Sequence, residues 1–419
     1  MNARINPGLP GTLSAVLLAA CATAQAADVG ESVTNALGRD SEVTLHLRSY
    51  YFDRLNPGDA QSVAWALGGW AGYKTGWIAD ALQFGVVGYT SQRLWGPEDK
   101  GGTGLLAPPQ QPYSALGEAY VSLKLWEQVA TGGRFMVNQP EINPHDIRMT
   151  PITYQGGLVS GQVGGLSYYG AYLNGTKQRT SEKFVNFVEA ANIDSSTSEP
   201  LWLLTVAGEP LKGVGLRASS YYVPNVLSST FGDVQWLTPL GGGDRLRLSA
   251  QAMYQTSVGD NLLQGKAFNT YTMGVRAEYM PGAAVLTLAY QQTGRGSNYN
   301  TPYAGWAGYP SMIVKDFNLA GMQAWLLAAS YDFSGMGAPG FALNGGIAHG
   351  SNVINPSTQA AQPDWTEYDL TADYRFNAAS WPEWARPFWL RGRAAYVDMG
   401  ANGVINDYRI ILNYEWVLK

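Results

Sequence analysis

Beyond its N-terminal segment the chain has no run of about 18 apolar residues, so nothing in it would cross a bilayer as a helix. Charge is scarce too: 14% of residues are charged, and a formal net charge of −5 provides no basic surface for nucleic acid. The three histidines, His46, His145 and His349, lack metal-ligand spacing, and there is no Gly-x-Ser-x-Gly elbow and no cysteine pair. No catalytic residue, metal or cofactor is therefore expected. The glycine-rich links join no strand to a helix and so form no phosphate cradle. A hydrolase that joins distant residues, such as His349 and Ser351, is the enzymatic alternative.

What the chain does have is 50 glycines, 25 tyrosines, 14 tryptophans and alternation. Residues 1–26 read as a secretory signal, with Arg4 at the start, Leu13 to Ala22 as the apolar region and Ala24-Gln25-Ala26 before the cut. Leu18-Ala19-Ala20-Cys21 also fits a lipoprotein signal, so Cys21 is either removed with the leader or lipidated.

From Asn406 to Lys419, one parity holds Tyr408, Ile410, Leu412, Tyr414, Trp416 and Leu418, and the other holds Asp407, Arg409, Asn413 and Glu415. This is a strand with one apolar face, aromatic towards both ends as at two membrane interfaces. Val43 to Phe52 repeats the pattern, and Val63 to Tyr73 and Trp77 to Tyr89 make a hairpin around Lys74-Thr75-Gly76. In Trp365 to Phe376 the inner face is Glu367, Asp369, Thr371, Asp373 and Arg375. The count is about eighteen strands. Short links such as Gly164-Gly165 alternate with long ones such as Asn138 to Gly157 and Thr293 to Ala320, the asymmetry of periplasmic turns and extracellular loops. Asn377 to Pro387, a long link at a short-turn position, is the exception; its Trp381 and Trp384 suit an aromatic foot. Residues 27–419 are thus expected to form one all-β domain, a transmembrane antiparallel β-barrel in a bacterial outer membrane.

Ordered fragments then resemble the OprD-type family of substrate-selective outer-membrane porins: Gly102-Thr103-Gly104-Leu105-Leu106, Asp146-Ile147-Arg148-Met149-Thr150-Pro151, Ala289-Tyr290-Gln291, Asp316-Phe317-Asn318, Tyr331-Asp332-Phe333 and Arg391-Gly392-Arg393. The resemblance implies an eighteen-stranded monomeric barrel narrowed by its third and seventh extracellular loops. It also implies a ladder of basic side chains guiding anionic solutes such as amino acids and small organic or aromatic acids. The chain departs from the family at Val397-Asp398, where further arginine is usual, and at Tyr414-Glu415, in place of Tyr-Pro.

Parity places Arg48, Lys124, Arg134, Arg217, Arg245, Arg247 and Arg276 on the inner face, with Arg375, Arg391, Arg393 and Arg409 in the late strands. Arg391 and Arg393 stand about 6.6 Å apart along one face, a ladder spacing. The competing role for such arginines is pairing with the lumen acids Glu118, Glu278, Asp369, Asp373 and Asp407. Arg48, Arg375, Arg391, Arg393 and Arg409 are the candidate ladder, and Asp146, Arg148, Asp316 and Asn318 the candidate constriction residues. The expected partners are small anionic or zwitterionic solutes and outer-membrane lipid, with no nucleic acid, for a monomer or weakly associated oligomer. A less selective or sugar-passing pore, suited by Tyr50, Tyr120 and Trp389, and a closed adhesive barrel are the other readings.

Overall fold

The computed structural model describes residues 26–419; the leader expected over 1–26, including Cys21, lies outside them except for Ala26. Helix α1 (Ala26–Leu37) precedes eighteen strands: β1 (Glu42–Leu55), β2 (Gln61–Lys74), β3 (Leu82–Trp95), β4 (Tyr113–Leu125), β5 (Gln128–Phe135), β6 (Thr153–Val163), β7 (Leu166–Lys177), β8 (Leu201–Leu211) and β9 (Val214–Val223) form the first half. β10 (Leu227–Pro239), β11 (Arg245–Ser257), β12 (Asn269–Met280), β13 (Ala284–Thr293), β14 (Gln323–Asp332), β15 (Phe341–Ser351), β16 (Trp365–Arg375), β17 (Phe388–Asp398) and β18 (Val404–Leu418) form the second. Each strand pairs antiparallel with its sequence neighbours, and β1 pairs with β18 from Val43 opposite Leu418 to Leu55 opposite Asn406. The sheet is a closed barrel.

The alternation read in the sequence is what closes it. On β18, Tyr408 and Ile410 face outward at 51% and 58% exposed, while Asp407, Arg409 and Asn413 are buried inside. From Tyr408 to Trp416 the outward face runs about 27 Å along the strand, about 20 Å of height at the usual tilt, which lies within an apolar band about 25 Å tall between aromatic girdles. Inside, polar side chains pair across strands, as in Ser122 with Thr131 and Thr205 with Ser219, both at 2.8 Å.

Three expectations change. Trp77 belongs to the turn 75–81 rather than to β3, because the backbone closes there through an Ile78–Leu82 bridge. The alternation of short and long links is not strict: the long-loop-end connections 56–60, 224–226 and 399–403 are short. Helix α1 had no counterpart in the strand reading. It docks on the turn 75–81, with Gly76 N–H donating to Ala36 O at 2.8 Å and Ala79 N–H to Ser32 Oγ at 2.7 Å. The long link before β17 is an aromatic foot: Trp381 donates to the Tyr374 hydroxyl at 3.1 Å and packs on Phe376 at 4.9 Å.

The outward face sets a depth-dependent expectation. Leu412→Arg at mid-span costs about 2–4 kcal/mol and Leu418→Arg at the rim about 0–1 kcal/mol, read from urea unfolding in lipid vesicles.

Candidate pore constriction

An eighteen-stranded barrel is wide enough to leave an aqueous channel, so what fills its lumen decides what passes. Two connections fold inward: L3 (136–152), between β5 and β6, and L7 (294–322), between β13 and β14.

L3 crosses the whole lumen. At one end Asp146 accepts from Arg48 of β1, Oδ1 from Nη1 at 2.9 Å and Oδ2 from Nη2 at 3.2 Å, and the same guanidinium donates to Arg148 O. At the other end Glu141 accepts from Ser229 Oγ of β10 at 2.7 Å and from the Tyr299 hydroxyl of L7. β1 and β10 are nine strands apart in a ring of eighteen, so L3 ties opposite walls. Val137, Ile142 and Ile152 seat the loop in an apolar cluster with Tyr154, Leu173 and Leu201, while Met149 packs with Tyr50 and Phe52 of β1.

L7 is pegged to the wall by its backbone. Glu367 of β16 accepts from Val314 N–H at 2.7 Å and Lys315 N–H at 2.8 Å, and Asp369 accepts from Ile313 N–H at 2.8 Å. Arg409 closes the arrangement by donating to Ile313 O at 3.0 Å while paired with Asp407 at 2.6 Å. Asn143 of L3 donates to Gly305 O of L7 at 3.1 Å, which joins the two loops.

Beside them lies a cavity of about 410 Å³, lined among others by Tyr50, Trp70, Trp389, Arg48, Asp146, Arg391 and Arg393. Trp70 stacks on His46 at 4.0 Å, and Trp389 lies under the guanidinium of Arg391 at 4.9 Å and that of Arg375 at 5.2 Å. Arg391 is held bidentate by Asp373 at 2.7 and 2.9 Å. Arg393 differs: among the described residues no carboxylate is in ion-pair contact with it, and its Nε reaches only Thr371 Oγ1, at 3.3 Å.

The nominated residues therefore divide. Arg48, Arg391, Arg393 and Asp146 come together at the cavity, with Arg375 beside it. Arg409 is 1% exposed and holds L7 instead of lining the opening. Arg148 is buried behind L3, donating to Thr103 O at 2.9 Å. Asp316 bonds Ser311 at 3.1 Å, and Asn318 holds L7 internally through Tyr299 O at 2.9 Å.

The inner placement of Arg134 is corrected. Opposite Ala119 in register, it faces outward, because the outward row of β4 continues into Gly132 and Arg134. His349 also faces outward, beside Trp325, bonded to Thr366 at 2.9 Å. Arg54 was missed; it donates to Asp407 at 2.8 Å and shares inner parity with Arg48, which parity alone could have found. Glu367 was read as an inner wall acid, but its partners are loop amides that no side-chain pattern reveals.

A family model described as "outer membrane porin, OprD family" matches residues 37–418. The chain is similar to "Porin-like protein GalP" of Pseudomonas putida, 21% identical over 394 residues, covering 90% of this chain and 92% of that one. Among solved structures it is similar to OccK9 (OpdG) of Pseudomonas aeruginosa, with TM-score 0.82, 22% identity, and coverage of 91% of this chain and 100% of that one. It is also similar to OpdK of the same organism, solved with vanillate, with TM-score 0.81, 17% identity, and coverage of 91% and 99%.

The L3 tie gives a pH expectation. Burial pushes the Glu141 carboxyl from 4.5 up to about 7, against the two hydroxyl donors. The neutral acid's contribution to holding L3 is thus complete below pH 4.5 and is lost as pH rises through about 7. Burial, with Arg179 and Arg148 nearby, pushes His145 down to about 3, so it stays neutral through that range. Single-channel current should become noisier from pH 6 to pH 8, and Glu141→Gln should flatten that change.

Proposed function

We infer the function from one premise, that the chain belongs to the OprD family of outer membrane porins and so forms a channel in the outer membrane. On that premise the channel passes small hydrophilic solutes by passive diffusion and favours small carboxylates.

The observation that carries this reading is Arg393 at the cavity wall, without a carboxylate in ion-pair contact among the described residues, beside Arg391 and the face of Trp389. Arg48 and Arg391 are already neutralised by Asp146 and Asp373. Among the arginines that line the cavity, Arg393 is therefore the one with donors to spare, and a solute carboxylate accepts from a guanidinium bidentately. Trp70 and Trp389, half-buried at the cavity, give a planar ring a surface on which to slide, so acids with a ring attached to the carboxylate suit the cavity best. The ligand solved with OpdK, vanillate, has that chemistry. The same aromatic faces support a second reading, passage of sugars, whose apolar ring faces pack on tryptophan without needing Arg393.

Planar-bilayer recordings in a salt gradient separate the two. The carboxylate reading expects anion preference and block by benzoate, with Arg393→Gln weakening block about ten- to hundredfold, the worth of a hydrogen bond to a charged group. Block by glucose at equal strength in wild type and Arg393→Gln, without benzoate block, would establish the sugar reading. A second expectation concerns ring size: benzoate should block more strongly than acetate, and Trp389→Ala should remove that difference while leaving anion preference in place.

A further inference from the structure

The outward wall between β4 and β7 carries a furrow that no backbone requirement explains. In register, Val121 of β4 stands opposite Gly132 of β5, Gly132 opposite Gly157 of β6, and Gly157 opposite Tyr172 of β7. One row lower, Ala130 stands opposite Val159, and Val159 opposite Gly170. Small residues occur singly elsewhere on this face, as at Gly88 opposite Ala71 and Gly392 opposite Ala372, but here glycines stand on three consecutive strands in adjoining rows.

These glycines are not required by the chain path. Gly132, Gly157 and Gly170 have no positive φ, and a Cβ at Gly132 or Gly170 would meet nothing within 4 Å; at Gly157 it would meet only Thr131 O, at 3.8 Å. Gly133 is the contrast: its φ is +123° and a Cβ would lie 2.3 Å from Ala119 O. Glycine inside a strand weakens it, so three unneeded glycines on one face mark a space kept open. The resulting hollow is about 870 Å³, walled by Tyr172 and Trp202, which pack at 4.6 Å.

Above it, towards the long-loop end, a second hollow of about 540 Å³ shares Tyr172 and is lined by Arg134, Gln155 and Asn174. Arg134 Nε donates to Gln155 Oε1 at 3.1 Å and its guanidinium lies 4.5 Å from the Phe184 ring. Among the described residues its two Nη groups have no protein acceptor and no ion-pair partner. Near the interface an outward arginine costs little, and its unused donors are open to an anion there.

We propose that this paired hollow is a binding site for a phosphorylated, multiply acylated lipid of the outer leaflet, its phosphate on Arg134 and its acyl chains in the glycine furrow. Guanidinium forks bind phosphate bidentately, and the rise from Ala130 to Arg134, about 14 Å, sets an acyl-length apolar slot beneath an anion contact.

The test titrates diphosphoryl lipid A, its dephosphorylated form and phosphatidylcholine into the detergent-purified barrel, followed by native mass spectrometry. Diphosphoryl lipid A should bind saturably to wild type. Arg134→Gln should weaken it about tenfold, to the level of the dephosphorylated form. The Gly132→Leu plus Gly170→Leu variant should lose the adduct. In both variants, heat-modifiable migration and unchanged conductance show that the barrel is folded. Equal binding of lipid A by all three proteins, or equal binding of phosphatidylcholine and lipid A by wild type, overturns the proposal. So does a dimer abolished by Gly170→Leu, which would place a second copy in the furrow.

Discussion

No backbone amide can be left unpaired in lipid, and a sheet in a membrane therefore has to close on itself. The seam between β1 and β18 is where this chain meets that requirement. Closure divides every strand into a lipid face and a lumen face, and the division puts most polar side chains on one parity. A ring of eighteen strands encloses more space than wall side chains fill. The interior must be occupied by something else, and the two inward loops follow from that need as much as the strands follow from closure.

Filling a lumen with loop backbone brings its own difficulty, since the amides of a loop tip need acceptors. The wall acids supply them. Glu367 and Asp369 accept from three successive L7 amides, and Asp407 is shared between Arg54 and Arg409. Arg393 and Arg409 stand directly opposite one another, an unfavourable pair of like charges, which Asp407 and Ile313 O relieve on the Arg409 side only. That asymmetry leaves Arg393 with unspent donors at the cavity.

The strands were legible in the sequence because period-two alternation is local: β16 and β18 could be read residue by residue, with the correct face. Faces failed where alternation was broken. The glycine-rich β5, with only eight residues, gives little contrast between its sides, and Arg134 was accordingly placed inside. Of the site, Arg391 and Arg393 were legible from spacing. The tie of Glu141 to Ser229 joins residues 88 apart in the chain, and the L7 peg uses backbone donors, so neither leaves a trace in side-chain pattern. Helix α1 was overlooked for a related reason: its contacts are with the turn 75–81, not with a repeating face.

L3 is anchored at Arg48 and at Ser229, on walls half a circumference apart. A cylinder without internal support flattens readily when squeezed from the side, because bending its wall is easier than stretching it. A member fixed at both ends of a diameter resists that flattening along its own direction and leaves the perpendicular direction compliant. Lateral pressure from the surrounding bilayer would then change the cross-section anisotropically, altering the openings on either side of the loop while the span it bridges stays nearly constant.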